Sequence, residues 1–194
     1  ESKGFKANPL KGKLSLRASE TSELVFEDCV INKDSLLSKS KNVGSALSCL
    51  NQARYGIIWG VIGAAESCFN EVCNFVQDRI LFKEPLAKKQ LIQHKLATIL
   101  KKITTAQSLA FHLGELKNQG LITPVQISLG KQHNCEIALE IARTSRDILG
   151  ANGITDEYSS MRHLCNLETV VTYEGTSDIH LLSIGQYITG HKSF

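Results

Sequence analysis

The segment Thr172-Tyr-Glu-Gly-Thr-Ser-Asp-Ile-His180 holds the residue pattern best suited to chemistry in this chain. Glu174 offers a carboxylate, and Gly175 lets the backbone turn sharply just after it. Thr176 is an N-cap for a helix starting at Ser177, and Asp178 complements the positive end of that helix's dipole. A carboxylate on such a bend can be presented into a cleft instead of into bulk water. Loss of water strengthens a carboxylate as a base, so proton abstraction is the chemistry the pattern suits. On local physics alone, a glutamate ahead of a helix start is more often a solvated loop residue. Both readings stand at this point.

Other kinds of site find less support. The cysteines at 29, 49, 68, 73, 135 and 165 form no CxxC pair and no paired Cys/His ligand spacing, so no metal is expected. They read as buried free thiols, which points to a reducing intracellular compartment. Net charge is +3 with Lys and Arg scattered along the chain. That argues against a nucleic-acid partner, which usually meets a basic face or stripe, and is compatible with an anionic small ligand. The most apolar stretch, Tyr55 to Ala65, contains three glycines and is too short to span a membrane. No signal segment opens the chain, and the lack of Met before Glu1 suggests a processed, cleaved or truncated chain.

The elements that must position Glu174 form two unlike parts. With 194 residues, 42% of them hydrophobic, there is enough chain for one substantial domain and a smaller piece. Residues 1 to 31 read as extended chain punctuated by Gly4, Pro9 and Gly12. Leu14 and Leu16 alternate with polar neighbours, and Leu24, Phe26 and Val30 share one strand face that Asp28 interrupts. A Lys- and Ser-rich connector follows. From Ala46 the apolar residues recur at helical spacing as far as Phe75, and Pro85 ends that helix or opens the approach to its successor. A second helix runs from about Leu91 to a stop at Gly120. Thr123-Pro124 starts a third, which ends at Gly150-Ala151-Asn152-Gly153. A shorter helix from about Tyr158 to Val170 and a last one from Ser177 to about Ile188 flank the Glu174 bend. The fold expected is mainly α: an antiparallel four-helix bundle over 37–194, preceded in 1–36 by a remnant of a β-barrel-like domain.

The full order of these segments resembles the acyl-CoA dehydrogenase family, closest to its glutaryl-CoA dehydrogenases, over essentially the whole chain. Tyr173-Glu174-Gly175-Thr176 with Asp178-Ile179-His180 is similar to the family's catalytic-base motif. Gly12 to Ser19, Leu50 to Gly56, and Arg146 to Gly153 with Asp156 to Tyr158 carry the rest of the likeness. The resemblance implies that Glu174 removes the proton alpha to an acyl-CoA thioester while FAD takes a hydride from the beta carbon. For the glutaryl branch it implies loss of CO2 to give crotonyl-CoA, in lysine and tryptophan degradation, with electrons passing to an electron-transfer flavoprotein. It implies a homotetramer, and a bacterial cytoplasm or mitochondrial matrix as the compartment.

Residue by residue, the resemblance places substrate contacts in the stretch Leu47 to Arg54, with Asn51 and Arg54 foremost, and at Tyr173 and Gly175 beside the base. It places FAD contacts at Arg79, Gln90, Asp147, Ile148, Leu149, Gly150, Ala151, Thr176 and Phe194. Arg79 and Gln90 are implied to serve a neighbouring subunit's flavin. Read without the resemblance, Arg79 is an ion-pair partner for Asp78 or Glu84, Gln90 an exposed helix residue and Gly150 a helix cap. Leu81-Phe82-Lys83 departs from the family's usual polar-Phe-Gly, leaving Lys83 without glycine's freedom at positive φ. In the family, the flavin-ring contacts and the arginine that reads the glutaryl carboxylate lie N-terminal to the region that this chain resembles. Two other functions remain open: another short-chain acyl-CoA dehydrogenase or oxidase, or a non-catalytic helical oligomerisation module.

Overall fold

A computed structural model of the chain describes residues 2–40 and 42–193. A hairpin comes first: β1 (Phe5–Pro9) pairs antiparallel with β2 (Ser22–Phe26), in a register that sets Phe5 opposite Phe26. Those two rings meet at 5.2 Å, but most of the hairpin's side chains face solvent. Two strands bury too little to be stable alone. What ties this piece to the rest is the loop between the strands: the Leu16 N–H donates to Asn166 Oδ1 at 2.8 Å, and Thr169 Oγ1 donates to Ser15 Oγ at 2.5 Å. The expected strand face through Val30 is not formed, because β2 stops at Phe26 and Asp28 turns the chain with φ 48°.

Five helices make the rest: α1 (Val43–Asp78), α2 (Gln90–Asn118), α3 (Pro124–Ile148), α4 (Ser160–Thr172) and α5 (Ser177–Thr189). α1 starts earlier than the apolar spacing suggests, because the Asn42 side chain accepts from Gly44 N at 2.9 Å and caps it. It ends at Asp78, past the last position of that spacing at Phe75 and short of Pro85. The chain leaves helical geometry at Arg79 and forms a small hairpin, β3 (Ile80–Leu81) with β4 (Glu84–Pro85), around Phe82 (φ 52°) and Lys83 (φ 67°). Two consecutive left-handed residues are what a tight hairpin turn demands, and Lys83 adopts this conformation without being glycine. The start of α3 follows its sequence signal, with Thr123 and Gln126 forming a reciprocal capping box and Pro124 in the first turn.

α3 lies at the centre and packs on each of the other four helices. The core falls into two clusters along it. Ile58, Ile62, Ala106, Ala110, Leu113 and Ile127 fill one. Val61, Ala65, Cys68, Val72 and Val76 of α1, Ile99 and Ile103 of α2, Cys135, Ala138, Ile141, Ala142 and Ile148 of α3, Leu149 just beyond it, and Leu167 and Val170 of α4 fill the other, with Leu86. The expectation of six buried thiols is corrected by the structure: all are free, but only Cys68 and Cys135 are buried, and Cys49 is exposed. Among the described residues no helix is long and apolar enough to cross a membrane, and no cluster of potential metal ligands forms.

Candidate active site

α4 and α5 are joined by four residues, and the bend falls within them. Glu174 takes φ 57° and Gly175 φ 100°. A residue with a Cβ is disfavoured in that region, and its presence there marks a conformation held by its surroundings. A side chain at Gly175 would place its Cβ 3.0 Å from His180 Nε2, so the turn is also closed sterically. Thr176 Oγ1 accepts from Ile179 N at 3.4 Å and caps α5.

The surroundings that hold the bend are cationic. Arg54 of α1 donates from Nε to Glu174 O at 2.6 Å, while its Nη1 donates to Asn51 Oδ1 at 3.3 Å. Lys131 of α3 donates to Gly175 O at 2.8 Å and Tyr173 O at 2.9 Å. His180, 1% exposed, packs under Gly175. Burial, reinforced by the charges of Lys131 and Arg54, pulls its imidazole down to about 4, so it is neutral near pH 7. Burial raises the Tyr173 phenol above its ordinary value, with Cys135 and Glu174 adding to the effect.

Glu174 Oε2 is buried and has no hydrogen-bond partner among the described residues, and His180 Nε2 beneath the bend has none either. Buried polar atoms are rarely left so, and their presence points to a group that completes them. Beside the bend, a groove of about 410 Å³ runs between α1 and α4, lined by Ala53, Ile57, Gly60, Val61, Val170 and Tyr173 among others. Its walls are largely apolar and its small residues leave room along α1. An acyl chain suits such walls.

The structure divides the residues singled out in the sequence into two sets. Asn51, Arg54, Tyr173, Glu174, Gly175 and Thr176 gather at one end of the bundle. Arg79 and Gln90 stand at the other, since the helical rise of about 1.5 Å per residue puts Arg79 roughly 37 Å along α1 from Arg54. Asp147 joins this second set through an ion pair with Lys95 of α2. Both segments in the second set are accessible. Arg79 is exposed and makes no ion pair among the described residues, because Glu84 is engaged by Lys88 and Lys89 instead. Gln90 is exposed in the first turn of α2. Ile148 and Leu149 bury their side chains in the core, so only their backbone can meet a ligand. Gly150 takes φ 61° with open space where a Cβ would stand, and Ala151 is exposed beside it. Phe194 lies outside the described residues.

Lys131 belongs to no motif in the sequence. The signal available was its position: it falls four residues after Ile127 and four before Cys135 on the apolar stripe of α3, where a charge is out of place. Asn134 belongs with it, donating from Nδ2 to Ile58 O at 3.0 Å and to Ala106 O at 3.2 Å, and so joining three helices.

The family profile for the acyl-CoA dehydrogenase C-terminal domain matches residues 43–189. An acyl-CoA dehydrogenase of Bacillus subtilis is 31% identical over 96% of this chain and 50% of its own length. The human mitochondrial short-chain specific acyl-CoA dehydrogenase is 31% identical over 98% of this chain and 47% of its length. Among solved structures, a glutaryl-CoA dehydrogenase from Mycobacterium smegmatis in complex with FADH2 superposes with a TM-score of 0.97 at 46% identity. That match covers 100% of this chain and 50% of that one. The chain thus spans about half the length of the relatives it matches.

Proposed function

Since the chain belongs to the acyl-CoA dehydrogenase family through that family's C-terminal domain, we propose that it is the base-bearing part of an FAD-dependent enzyme that oxidises and decarboxylates glutaryl-CoA. The observation that carries this reading is Glu174 itself. One oxygen of its carboxylate, Oε2, is buried without a partner among the described residues, on a left-handed bend beside a largely apolar groove of about 410 Å³.

Glu174 takes the proton alpha to the thioester, and after CO2 leaves it returns the proton to the resulting carbanion. Its own backbone N–H would donate to the thioester oxygen as charge develops there. Tyr173, Ala53 and Ile57 wall the groove that orients the acyl chain, with Asn51 and Arg54 beside it. FAD supplies the hydride acceptor for the beta carbon. Arg79, with no acidic partner among the described residues, fits its phosphates, and Gln90 with the backbone of 147–151 fits its polar edges. Thr176 is exposed at the head of α5 and fits the same cofactor from the base end. A set roughly 37 Å from Arg54 cannot serve that chain's own base, so it supports sharing of FAD between copies in a homotetramer. Residues 1–36 then belong to a β-domain and 37–194 to the bundle, and electrons pass to an electron-transfer flavoprotein.

The test uses the complete FAD-loaded protein. Glutaryl-CoA should bleach the flavin and release one CO2 per turnover, and Glu174→Gln should keep bound flavin but abolish bleaching. Ready oxidation of another acyl-CoA with no CO2 from glutaryl-CoA would overturn the substrate. Turnover with O2 in place of the flavoprotein acceptor would mark an oxidase instead.

A further inference from the structure

Beneath the Glu174 bend lies a charge that the chemistry above does not use. Lys131 is 1% exposed and is the largest of the fully buried side chains among the described residues. A buried ammonium is costly unless its donors are all taken. Its three donors meet three carbonyls: Gly175 O at 2.8 Å, Tyr173 O at 2.9 Å and Val171 O at 3.5 Å. No carboxylate forms an ion pair with it among the described residues. These carbonyls belong to the end of α4 and the turn beyond it, where a helix leaves its last C=O groups unpaired. Arg54 takes the carbonyl between them, that of Glu174. Two cations from two helices therefore fix the carbonyls of residues 173, 174 and 175.

We propose that Lys131 is a positioning residue of the proton-transfer site: its ammonium gathers the carbonyls of Val171, Tyr173 and Gly175 and so holds Glu174 in the left-handed conformation from which its carboxylate works. The proposal rests on Glu174 being the base. A Cβ-bearing residue at φ 57° persists only where neighbours over-determine it, and Lys131 with Arg54 supplies that constraint. The groups that face Lys131 are Arg54 from α1, Cys135 on its own helix, Tyr173 and Glu174 in the bend, and His180 from α5. Burial holds the ammonium below the ordinary lysine value; Arg54 pushes the same way, and Cys135 and Glu174 oppose it. Among the described residues Glu174 is the carboxylate that acts on Lys131, and it is the one that carries the chemistry.

Lys131→Met keeps the bulk and removes the donors. In the complete FAD-loaded protein, the rate of flavin reduction by substrate should fall roughly a hundredfold, the cost of misplacing a reacting group by about 1 Å. Substrate affinity should change by less than about threefold, so the loss appears in kcat. In the same complete protein, amide hydrogen exchange at residues 173–176 should rise about tenfold while α1 and α2 keep their protection. Lys131→Arg keeps charge and donors but spreads them over a planar fork, so it should fold and recover part of the rate. An unchanged rate in Lys131→Met would overturn the proposal, as would equal loss of protection throughout the bundle. If Lys131→Met does not fold, Lys131→Arg decides: wild-type rate and wild-type exchange at 173–176 would overturn it. Retained flavin reduction in Glu174→Gln would instead remove the base assignment, whatever Lys131 does.

Discussion

Glu71 of α1 secures the start of α4, and removing its charge should loosen the helix that leads to Glu174. Its Oε1 accepts from Ser159 N at 2.6 Å and Ser159 Oγ at 2.9 Å, and its Oε2 from Ser160 N at 3.0 Å and Ser160 Oγ at 2.6 Å. A carboxylate from another helix thus acts as an N-cap, at the positive end of the α4 dipole. In Glu71→Gln the new NH2 faces a backbone N–H or a hydroxyl that must turn away. One charge-assisted bond is lost, about 1.5–3 kcal/mol, and the others weaken to ordinary strength. Partial exposure of Glu71 tempers this, so a net loss of about 2 kcal/mol is expected. With an unfolding entropy of about 2.1 cal/mol/K per residue, 194 residues give about 0.4 kcal/mol per degree, hence a Tm lower by about 5 °C. The pH dependence is the stricter check. Partial burial acts to raise the Glu71 carboxyl, and the hydrogen bonds from Ser160 and Ser159 more than reverse it, leaving it below the ordinary glutamate value. A depressed carboxyl stabilises fully above its unfolded value, and that stabilisation fades as pH falls through the folded value. The gap between wild type and Glu71→Gln should therefore be full at pH 7 and should close below about pH 4. Equal melting at pH 7, or a gap that persists unchanged at pH 3, would refute the reasoning.

The other expectations concern single interactions. Thr123→Ala removes the capping box of α3 and should lower stability by about 1 kcal/mol, read from the guanidinium chloride midpoint. Gly175→Ala forces a Cβ onto φ 100° and to within 3.0 Å of His180 Nε2, so it should cost about 1–3 kcal/mol and should slow flavin reduction in the complete protein. An alanine that melts and reacts like wild type would show that the bend is not closed as described. The His180 imidazole, held at about 4, should show no titration by NMR between pH 5.5 and 8. Because the unfolded chain binds the extra proton below its ordinary value near 6.5, stability should fall as pH drops from there towards 4, by up to about 3 kcal/mol.

Much of the fold was legible because the interactions that write it are short-range. Apolar residues at helical spacing marked the three long helices, and Thr123-Pro124, Gly120 and Thr176 marked helix ends, since caps act within one turn. The hairpin that ends α1 was missed for the same reason. Phe82 and Lys83 are not residues that announce a left-handed turn, and it forms because Arg79 O accepts from Leu86 N while Leu86 packs into the core. The depth of burial was not legible either, as the partly exposed thiols of Cys29, Cys73 and Cys165 show.

By itself, the sequence determined that a carboxylate sits on a glycine bend between two helices, and that the surrounding motifs resemble one enzyme family. It could not determine what that carboxylate faces. Only the tertiary structure decided that Arg54 from α1 and Lys131 from α3 converge on the carbonyls of the bend, and that Glu71 fixes the far end of α4. It also decided that Arg79 and Gln90 stand far from the base. The reason is physical: the partner of a buried charge is chosen by which helices meet, and residues 54, 131 and 174 are distant in the chain. Local propensity places each of them on its helix or bend, and packing alone brings them together.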